Sequence, residues 1–481
     1  MRLPLSLKLL CAAFAASLGS ALTAAAATNT PPPGFTALFN GKDLSGWYGW
    51  GTKDPTELWK MTPEERAEYK RKSVHGGLPV GKQGPDHILA HWSVQNGELV
   101  NDGKGLYLTS DKDYGDFELW VEYKALPDGD SGIYLRGIPQ IQIWDTTKGD
   151  PRGLGQDKGS GGLWNNSKGA PGKDPAKKMD RPFGEWNSFK IRMIGERVTV
   201  IFNGEKVVDH AVLENFFANQ RAGYLAYGKA DPKKKKAPEK LPNGYMRDPA
   251  FAKGPIQLQT HGSEIRWRNV YIREIPPEEA TRELAARDAE GFVELVNGRD
   301  LSNWTGATDN YEVRNGAIYC KPGKGGNLLT KEEYGDVIIR TEFILPPAGN
   351  NGIALRTPAG GRPAQDGFEL QVIDSDGYNA KAKNPLKPTQ YHGSLYNLVG
   401  AKHGYLRPVG TCNYEEIEVR GNRITVTLNG TKILDVDTDK LDLSVYDPKV
   451  LPGGLKRTSG HLGFAGHNDP VGFRSFKVKR L

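Results

Sequence analysis

The feature that most constrains this 481-residue chain is an internal duplication. The segment GFTALFNGKDLSGW begins at Gly34, and a close match, GFVELVNGRDLSNW, begins at Gly291. Six further pairs of matching segments follow in one order, ending with HGSEIRWRNVYI from His261 and HNDPVGFRSFKV from His467. Matching blocks in a fixed order indicate two copies of one domain. We therefore predict a first domain, a linker and a second domain over residues 34–276, 277–290 and 291–481.

Each copy has the pattern of short β-strands separated by Gly, Asp and Pro. In the first copy an apolar run over 198–202 precedes Asn203-Gly204, and the second copy repeats the pattern before Asn429-Gly430. Apolar run, Asn-Gly, apolar run is a strong signal for a hairpin with a type I′ turn. With 59 Gly and 32 Pro, turns are favoured over long helices. We predict an all-β chain of two antiparallel sandwiches.

The first copy is longer than the second. The offset between matching segments falls from 257 (Gly291 minus Gly34) to 206 (His467 minus His261), so the first copy holds 51 extra residues. Most lie between 47 and 92, where PEERAEYKRK predicts one or two helical turns on the surface. A second insertion, over about 229–252, contains four lysines at 233–236, which we interpret as a solvated loop. The joint between the copies, IPPEEA from Ile275, predicts a short helix that continues into the linker.

The first 27 residues combine Arg2 and Lys8 with an apolar run that ends in three alanines. This pattern is typical of a secretory signal peptide, so we expect a secreted or periplasmic protein. No later segment has 18 uninterrupted apolar residues, so we expect no membrane span. After the leader the chain has two cysteines, Cys320 and Cys412. Their spacing alone does not decide whether they pair in an oxidising compartment.

Charge and motifs exclude several classes of partner. The net charge of +7 arises from 64 basic and 57 acidic residues spread along the chain, which does not indicate nucleic-acid binding. No CxxC motif indicates a zinc site, and no P-loop or G-x-S-x-G elbow is present. We therefore predict no metal and no cofactor.

Two strands combine an apolar face with a polar one. In FELQVID, alternation places Glu369 and Gln371 opposite the apolar residues, and in PQIQIWD it does the same for Gln140, Gln142 and Trp144. On an exposed surface these side chains would only be solvated. On a concave sheet they would line a groove for a polar ligand, with Trp144 offering a flat surface to a sugar ring.

Other polar residues recur at matching positions. Arg136 and Arg356 each end an apolar strand, and Glu122 and Glu342 interrupt another. Structural Arg–Glu ion pairs across strands are one interpretation, and a polar constellation on one sheet face is the other. His261 and His467 stand in matching places before the final strand of each copy, and either a shared turn or a shared site explains this recurrence. His392, which precedes GSLYNL, is a further candidate.

The ordered motifs, including GF-LFNGKDLSGW, SGIYLR, FELQVID, GSLYNL and GPIQLQTHGSEIRWRNVYIREI, resemble the 3-keto-disaccharide hydrolase family, twice over. The resemblance implies a concanavalin-like jelly roll in each copy. It also implies cleavage of glycosides whose C3 hydroxyl has been oxidised to a ketone. A C3 ketone acidifies the hydrogen on C2, so that a base can form an enolate that expels the aglycone from C1. An oligosaccharide or glycoside substrate is therefore expected, cleaved by hydrolysis or by elimination.

On this resemblance we hypothesise roles for the site residues. Glu369 would be the base or acid, with Asp374 as a second carboxyl group if the strand ends or bulges between them. Arg356 and Gln371 would hold the ketone or enolate oxygen, and His467 would assist proton transfer. Because Gln140 replaces Glu369 in the first copy, that copy would bind a ligand or use Glu122 or His261 as its base. The expected substrate-binding residues are Arg136, Gln140, Gln142, Trp144, His261, Gln371, His392 and Tyr396.

Two other classes of function fit the same sequence. A non-catalytic pair of carbohydrate-binding domains would use the same sheet face, because one fold serves many functions. A structural or adhesion protein would use the lysine-rich loop and the linker helix as contacts.

Overall fold

A computed structural model describes residues 29–79, 87–220 and 243–481. Each copy forms an antiparallel sandwich of one five-stranded and one eight-stranded sheet, as the alternating pattern predicts. The five-stranded sheet of the first copy runs, in order, through β2 (Trp47–Trp50), β5 (Tyr107–Ser110), β12 (Gln257–Leu258), β7 (Asp130–Leu135) and β8 (Ile138–Trp144). The eight-stranded sheet holds β1 (Thr36–Ala37), β3 (Trp92–Gln95), β4 (Glu98–Asn101), β6 (Phe117–Ala125), β9 (Asn187–Ile194), β10 (Arg197–Phe202), β11 (Glu205–Val212) and β13 (Ile265–Glu274).

The second copy repeats this strand order. Its five-stranded sheet runs through β15 (Trp304–Gly306), β18 (Gly325–Tyr334), β25 (Gly460–His467), β20 (Asn350–Thr357) and β21 (Phe368–Ile373). Its eight-stranded sheet holds β14 (Val293–Glu294), β16 (Tyr311–Arg314), β17 (Ala317–Cys320), β19 (Val337–Ile344), β22 (Cys412–Arg420), β23 (Arg423–Leu428), β24 (Thr431–Asp437) and β26 (Gly472–Arg480). The predicted all-β jelly-roll fold is confirmed.

The core of each copy lies between its two sheets. In the second copy Leu370 and Val372 point into this core, beside the buried ring of Phe464. In the first copy Ile141 and Ile143 do the same. The predicted apolar faces of these strands are therefore the inner faces, and their polar side chains lie on the face turned away from the core, which we call the outer face.

The Asn-Gly turns form as predicted. Asn203 and Gly204 have φ of 49° and 89°, and Asn429 and Gly430 have φ of 50° and 81°. Positive φ at both central residues is the geometry of a type I′ turn, whose twist matches that of the flanking strands.

The insertion of the first copy contains a longer helix than predicted. After α1 (Thr56–Trp59), α2 (Pro63–His75) begins with a capping box between Thr62 and Glu65. The prediction of one or two surface turns was wrong, because the capped helix docks on β2: the Tyr69 hydroxyl donates to the Gly49 carbonyl at 3.2 Å. The Gly49 amide in turn donates to the Ser73 hydroxyl at 3.0 Å.

The linker forms the predicted helix, α3 (Pro277–Ala286), which packs between the copies. Ala280 and Leu284 form a small buried cluster with Ile194 of the first copy and Tyr414 of the second. The remaining helices with defined ends are α4 (Pro363–Asp366) and α5 (Ser375–Lys381). Short 3-10 turns occur at Ile88–Ala90, Gln156–Lys158, Thr308–Asn310, Pro388–Gln390, Thr438–Lys440, Leu443–Val445, Pro448–Val450 and Gly453–Lys456.

Cys320 and Cys412 are buried free thiols. Among the described residues no helix is long and apolar enough to cross a bilayer. The same residues contain no group of three or more His, Cys, Asp or Glu arranged to hold a metal ion. The predicted leader and the lysines at 233–236 lie outside the described residues.

Candidate functional site

The outer face of the second five-stranded sheet carries a carboxylate and an amide side by side. Glu369 pairs with Ala354, and Gln371 with Gly352, across β20 and β21. The Glu369 side chain lies across Gly352, where an added Cβ would collide with the carboxylate oxygen Oε1. The small residues at 352 and 354 therefore let this carboxylate lie flat across the neighbouring strand.

Glu369 reaches His467, which ends β25 two strands away. The His467 Nε2 lies 3.2 Å from Glu369 Oε1, within hydrogen-bond distance. The Glu369 side chain is 5% exposed and the His467 side chain 45%, so the histidine is the more accessible member of the pair. The hydrogen bond to Glu369, with the nearby charges of Glu369 and Asp469, raises the pKa of His467 against the opposing effect of burial.

Replacing Glu369 by Gln is expected to lower the pKa of the His467 imidazole, because the amide removes the negative charge beside it. NMR titration of the histidine ring protons measures this change. The raised pKa means that the pair stabilises the folded chain below the unfolded imidazole pKa of about 6.5. That contribution is lost as the pH rises through the folded pKa. An unchanged pKa in the variant would show that the two side chains do not interact in solution.

A second polar pair lies next to the first. The Gln371 amide nitrogen donates to the Asn350 side-chain oxygen at 2.8 Å. The Gln371 oxygen Oε1 is buried and has no hydrogen-bond partner among the described residues. The backbone amide of Asn350 donates to Asp469 at 3.0 Å, so this corner of the sheet is fixed from both sides. Buried polar atoms without partners are uncommon and mark places where a ligand or water completes the bonding.

The first copy builds a similar cluster from different residues. The Gln140 amide donates to Gln142, and the Gln142 amide nitrogen donates to Asp130 Oδ1 at 2.8 Å. The other Asp130 oxygen lies 3.1 Å from Nδ1 of His261, and this contact raises the pKa of His261. Asp130 matches Asn350, and Gln140 matches Glu369. Each copy therefore has one carboxylate beside its histidine, supplied by β7 in the first copy and by β21 in the second.

Asp130 was missed at the level of the sequence, although a signal was present. Aligning DSGIYLR with NNGIALR places the acid Asp130 of the first copy opposite the amide Asn350 of the second. On the next strand the first copy has the amide Gln140 and the second copy has the acid Glu369. Two reciprocal exchanges on neighbouring strands indicate that the carboxylate has moved and has not been lost.

The two strand-ending arginines do not join these clusters. Arg136 and Arg356 have φ of 54° and 49°, which turns their side chains away from the outer face. Arg356 donates to the carbonyl groups of Arg457 and Gly421 and to the Asn422 side chain, so its hydrogen bonds are directed away from Glu369. The expectation that Arg356 and Gln371 together hold the substrate oxygen is therefore not met, because the guanidinium is bound to backbone carbonyls.

Arg136 is likewise buried among structural partners. It donates to the carbonyl groups of Gly115 and Phe251, at 2.9 and 2.8 Å, and forms an ion pair with Asp116 at 3.1 Å. The interpretation in which Arg136 and Arg356 form ion pairs with Glu122 and Glu342 across strands is not met either, because the two glutamates pair with other arginines. Glu122 pairs with Arg268 at 2.6 Å and Glu342 with Arg474 at 3.2 Å, in both cases on an eight-stranded sheet.

Asp374 and His392 also lie away from Glu369. Asp374 accepts hydrogen bonds from the backbone amides of Ala348 and Gly377, at 2.8 and 3.1 Å, and so caps α5. His392 is buried, with Nε2 3.3 Å from Glu415, a residue that replaces the core residue Phe189 of the first copy. Asp374 therefore has a structural role, whereas neither ring nitrogen of His392 makes a hydrogen bond within the described residues.

Tyr396 and Trp144 border the outer faces. The backbone amide of Tyr396 donates to the Glu369 carbonyl at 2.9 Å, so this half-buried ring stands beside β21. The ring of Trp144 is 6% exposed and packs edge-on against Trp164 at 5.9 Å. Little of the Trp144 ring is therefore accessible as a stacking surface.

Replacing Gly352 by Ala is expected to displace the Glu369 carboxylate, because the new methyl group would occupy its position. The pKa of His467 should then fall towards its ordinary value, as in Glu369→Gln. NMR titration tests this, with Gly51→Ala as the control for a glycine-to-alanine substitution, since Gly51 has no positive φ and no atom within 4 Å of an added Cβ. A His467 pKa equal to that of the unaltered chain would contradict the described geometry.

Parts of the chain are similar to a curated protein and to solved structures. A curated relative, the 3-keto-disaccharide hydrolase of Bacteroides thetaiotaomicron, is 23% identical over 232 residues, covering 40% of this chain and 80% of the relative. A solved structure described as a glycosyl hydrolase, from Parabacteroides distasonis, is 25% identical, with a TM-score of 0.36, and covers 40% of this chain and 95% of that one. A second from the same organism is 21% identical, with a TM-score of 0.33, and covers 40% of this chain and 99% of that one.

The family model described as the 3-keto-alpha-glucoside-1,2-lyase-like domain matches the chain twice, over residues 34–273 and 291–479. These two matches include every strand of the four sheets except the ends of β13 and β26. The chain therefore belongs to the 3-keto-alpha-glucoside-1,2-lyase-like family and carries two tandem copies of the family's domain.

Proposed function

We propose that this protein is an enzyme that cleaves 3-keto-glycosides, and 3-keto-disaccharides in particular. The observation that carries the proposal is the pairing of Glu369 with His467 on the outer face of the second copy, at 3.2 Å. Family membership supports the same substrate class. A carboxylate and a histidine in contact are suited to moving a proton in two directions during one reaction.

The reaction follows from the acidity of C2 beside a ketone. A base removes the proton from C2, and the electron pair of the C2–H bond forms an enolate with the C3 carbonyl. The enolate then restores the ketone while the C1–O bond breaks, leaving a C1=C2 double bond and a protonated leaving group. Addition of water across that double bond would complete a net hydrolysis.

The proposed roles use the geometry of the pair. Glu369 accepts the C2 proton, and His467, whose pKa is raised by Glu369, protonates the departing glycosidic oxygen. The proton on Glu369 then passes to His467, which returns the pair to its starting state. Gln371 has two amide hydrogens, and the one not donated to Asn350 is the proposed donor to the enolate oxygen.

The direct test is incubation of the purified protein with a 3-keto-disaccharide, an aryl 3-keto-glucoside and the corresponding unoxidised glycosides. We expect aglycone release from the keto substrates only. Equal release from the unoxidised glycosides would contradict an enolate mechanism. Saturable binding of sugar without product would favour a carbohydrate-binding pair, and neither binding nor product would favour a structural role.

The leader supports a proposal about location. We propose that cleavage after Ala27 releases the mature chain beyond the cytoplasmic membrane. N-terminal sequencing of protein recovered from the periplasm or the medium should begin at Thr28. A chain recovered only from the cytoplasm, with Met1 or Arg2 at its start, would contradict this expectation.

A further inference from the structure

The outer face of the first copy contains a cavity of about 300 Å³ where β7 begins and β8 ends. Asp130 and His261 both line it, together with Arg152 and Gln156. The Asp130 side chain is 19% exposed and the His261 side chain 55%, which repeats the arrangement of a sheltered acid and an accessible imidazole in the second copy. The pair therefore borders a space into which a ligand can enter.

The same face has three unpaired acceptors, two of which have no counterpart in the second copy. The side-chain oxygens of Gln140, Gln257 and Gln259 are buried and have no hydrogen-bond partner among the described residues. The three side chains are at most 6% exposed. The second copy has Gly463 and Ala465 where the first has Gln257 and Gln259. This alignment follows from a bond that both copies share: the backbone amide of Ile256 donates to the Ser110 hydroxyl, and that of Leu462 donates to the Thr330 hydroxyl. Such acceptors need donors, and the hydroxyl groups of a saccharide supply them.

The insertion of the first copy also closes one side of this face. The Thr52 hydroxyl lies 2.9 Å from the Tyr107 hydroxyl and 3.1 Å from that of Tyr134, so the insertion reaches the middle of the sheet. In the second copy the corresponding edge is open, because Thr305 and Gly306 of β15 are exposed. The face of the first copy therefore has less room for a long ligand.

We propose that the first copy is a second active site, in which Asp130 takes the role of Glu369 and which accepts short, hydroxyl-rich 3-keto-glycosides. This inference rests on the proposed function of the Glu369–His467 pair. Asp130 accepts the C2 proton, the resulting enolate expels the C1 oxygen, and His261 protonates that oxygen. Proton transfer from Asp130 to His261 then restores the pair, so no further reactant is needed.

The test uses the full chain with the second copy disabled by Glu369→Gln and His467→Asn. This variant should still cleave a 3-keto-disaccharide, and adding Asp130→Asn should lower the remaining rate by about 100-fold or more. Asp209→Asn, at an exposed aspartate on β11, is the matched control and should leave the remaining rate unchanged. A 3-keto-tetrasaccharide serves as the long substrate. The ratio of its cleavage rate to that of the disaccharide should be lower for the disabled variant than for the unaltered chain.

A relocated carboxylate keeps the test independent of folding. Combining Gln140→Glu with Asp130→Asn places the acid where the second copy has it, and activity should return. No remaining cleavage in the variant with the second copy disabled, or cleavage that survives Asp130→Asn, would overturn the inference. Absence of cleavage by the unaltered chain would instead overturn the proposed function itself.

Discussion

In the Asp130→Asn background, replacing Glu369 by Gln is expected to lower the turnover of a 3-keto-disaccharide by about 100-fold to 10,000-fold, the range for loss of a general acid or base. The amide has nearly the shape of the carboxylate, so the strand pairing to Ala354 should persist. What is lost is the proton acceptor and the charge that raises the pKa of His467. Steady-state kinetics measures the effect, which should fall mainly on kcat.

Glu122→Gln in the same background is the matched control. Glu122 interrupts a strand as Glu369 does, but it lies on the eight-stranded sheet of the first copy and pairs with Arg268. Its replacement should change the turnover less than about 2-fold, because Glu122 lies in the other copy, distant from the Glu369–His467 pair and without a shared partner. Full turnover by Glu369→Gln, or an equal loss in Glu122→Gln, would exclude Glu369 as the reacting carboxylate.

Replacing Phe464 by Ala is expected to destabilise the second copy by about 3–5 kcal/mol, the usual cost of removing a fully buried aromatic ring. The ring is fully buried and stacks on Phe473, with centroids 3.9 Å apart, and it also contacts Trp304 at 5.0 Å. Urea unfolding monitored by hydrogen exchange should place the loss of protection in the strands of the second copy.

Leu258→Ala, at the matching position of β12, is the comparison for Phe464→Ala. It should destabilise the first copy by about 2–5 kcal/mol and leave the second copy less affected. A cost below about 1 kcal/mol for Phe464→Ala would contradict the packing of these rings, since distant surface substitutions already cost up to about 0.5 kcal/mol. Equal loss of protection in both copies would show that they unfold as one unit.

Strand periodicity predicted the fold and one half of the candidate site. The duplicated blocks predicted two sandwiches, and alternation placed Glu369 and Gln371 together on the outer face, because adjacent positions of one face are fixed by the pleat. The contact between Glu369 and His467 was not predictable in the same way. The contact passes over β20, which lies between β21 and β25. It depends on Gly352 having no side chain and on Ala354 having a small one.

The wrong or missed site residues share a physical cause: their positions depend on local backbone conformation or on a neighbouring strand, which the alternation within one strand does not show. Alternation fails at Arg136 and Arg356 because each adopts a positive φ, Arg136 in the turn between β7 and β8 and Arg356 at a register shift of β20. This backbone conformation directs both side chains towards backbone carbonyls. Asp374 follows the strand and caps a helix, a role that Asp takes readily but that strand periodicity does not reveal. Asp130 was overlooked because each strand was considered alone, whereas the exchange of acid and amide spans two strands.

The most direct test of the central claim is a crystal structure of the Glu369→Gln variant with a bound 3-keto-disaccharide. We predict that the sugar lies on the outer face of the second copy, with C2 within about 3.5 Å of the side chain at 369 and the glycosidic oxygen within hydrogen-bond distance of His467. A sugar bound only elsewhere on the second copy, with these side chains covered by protein, would contradict the account.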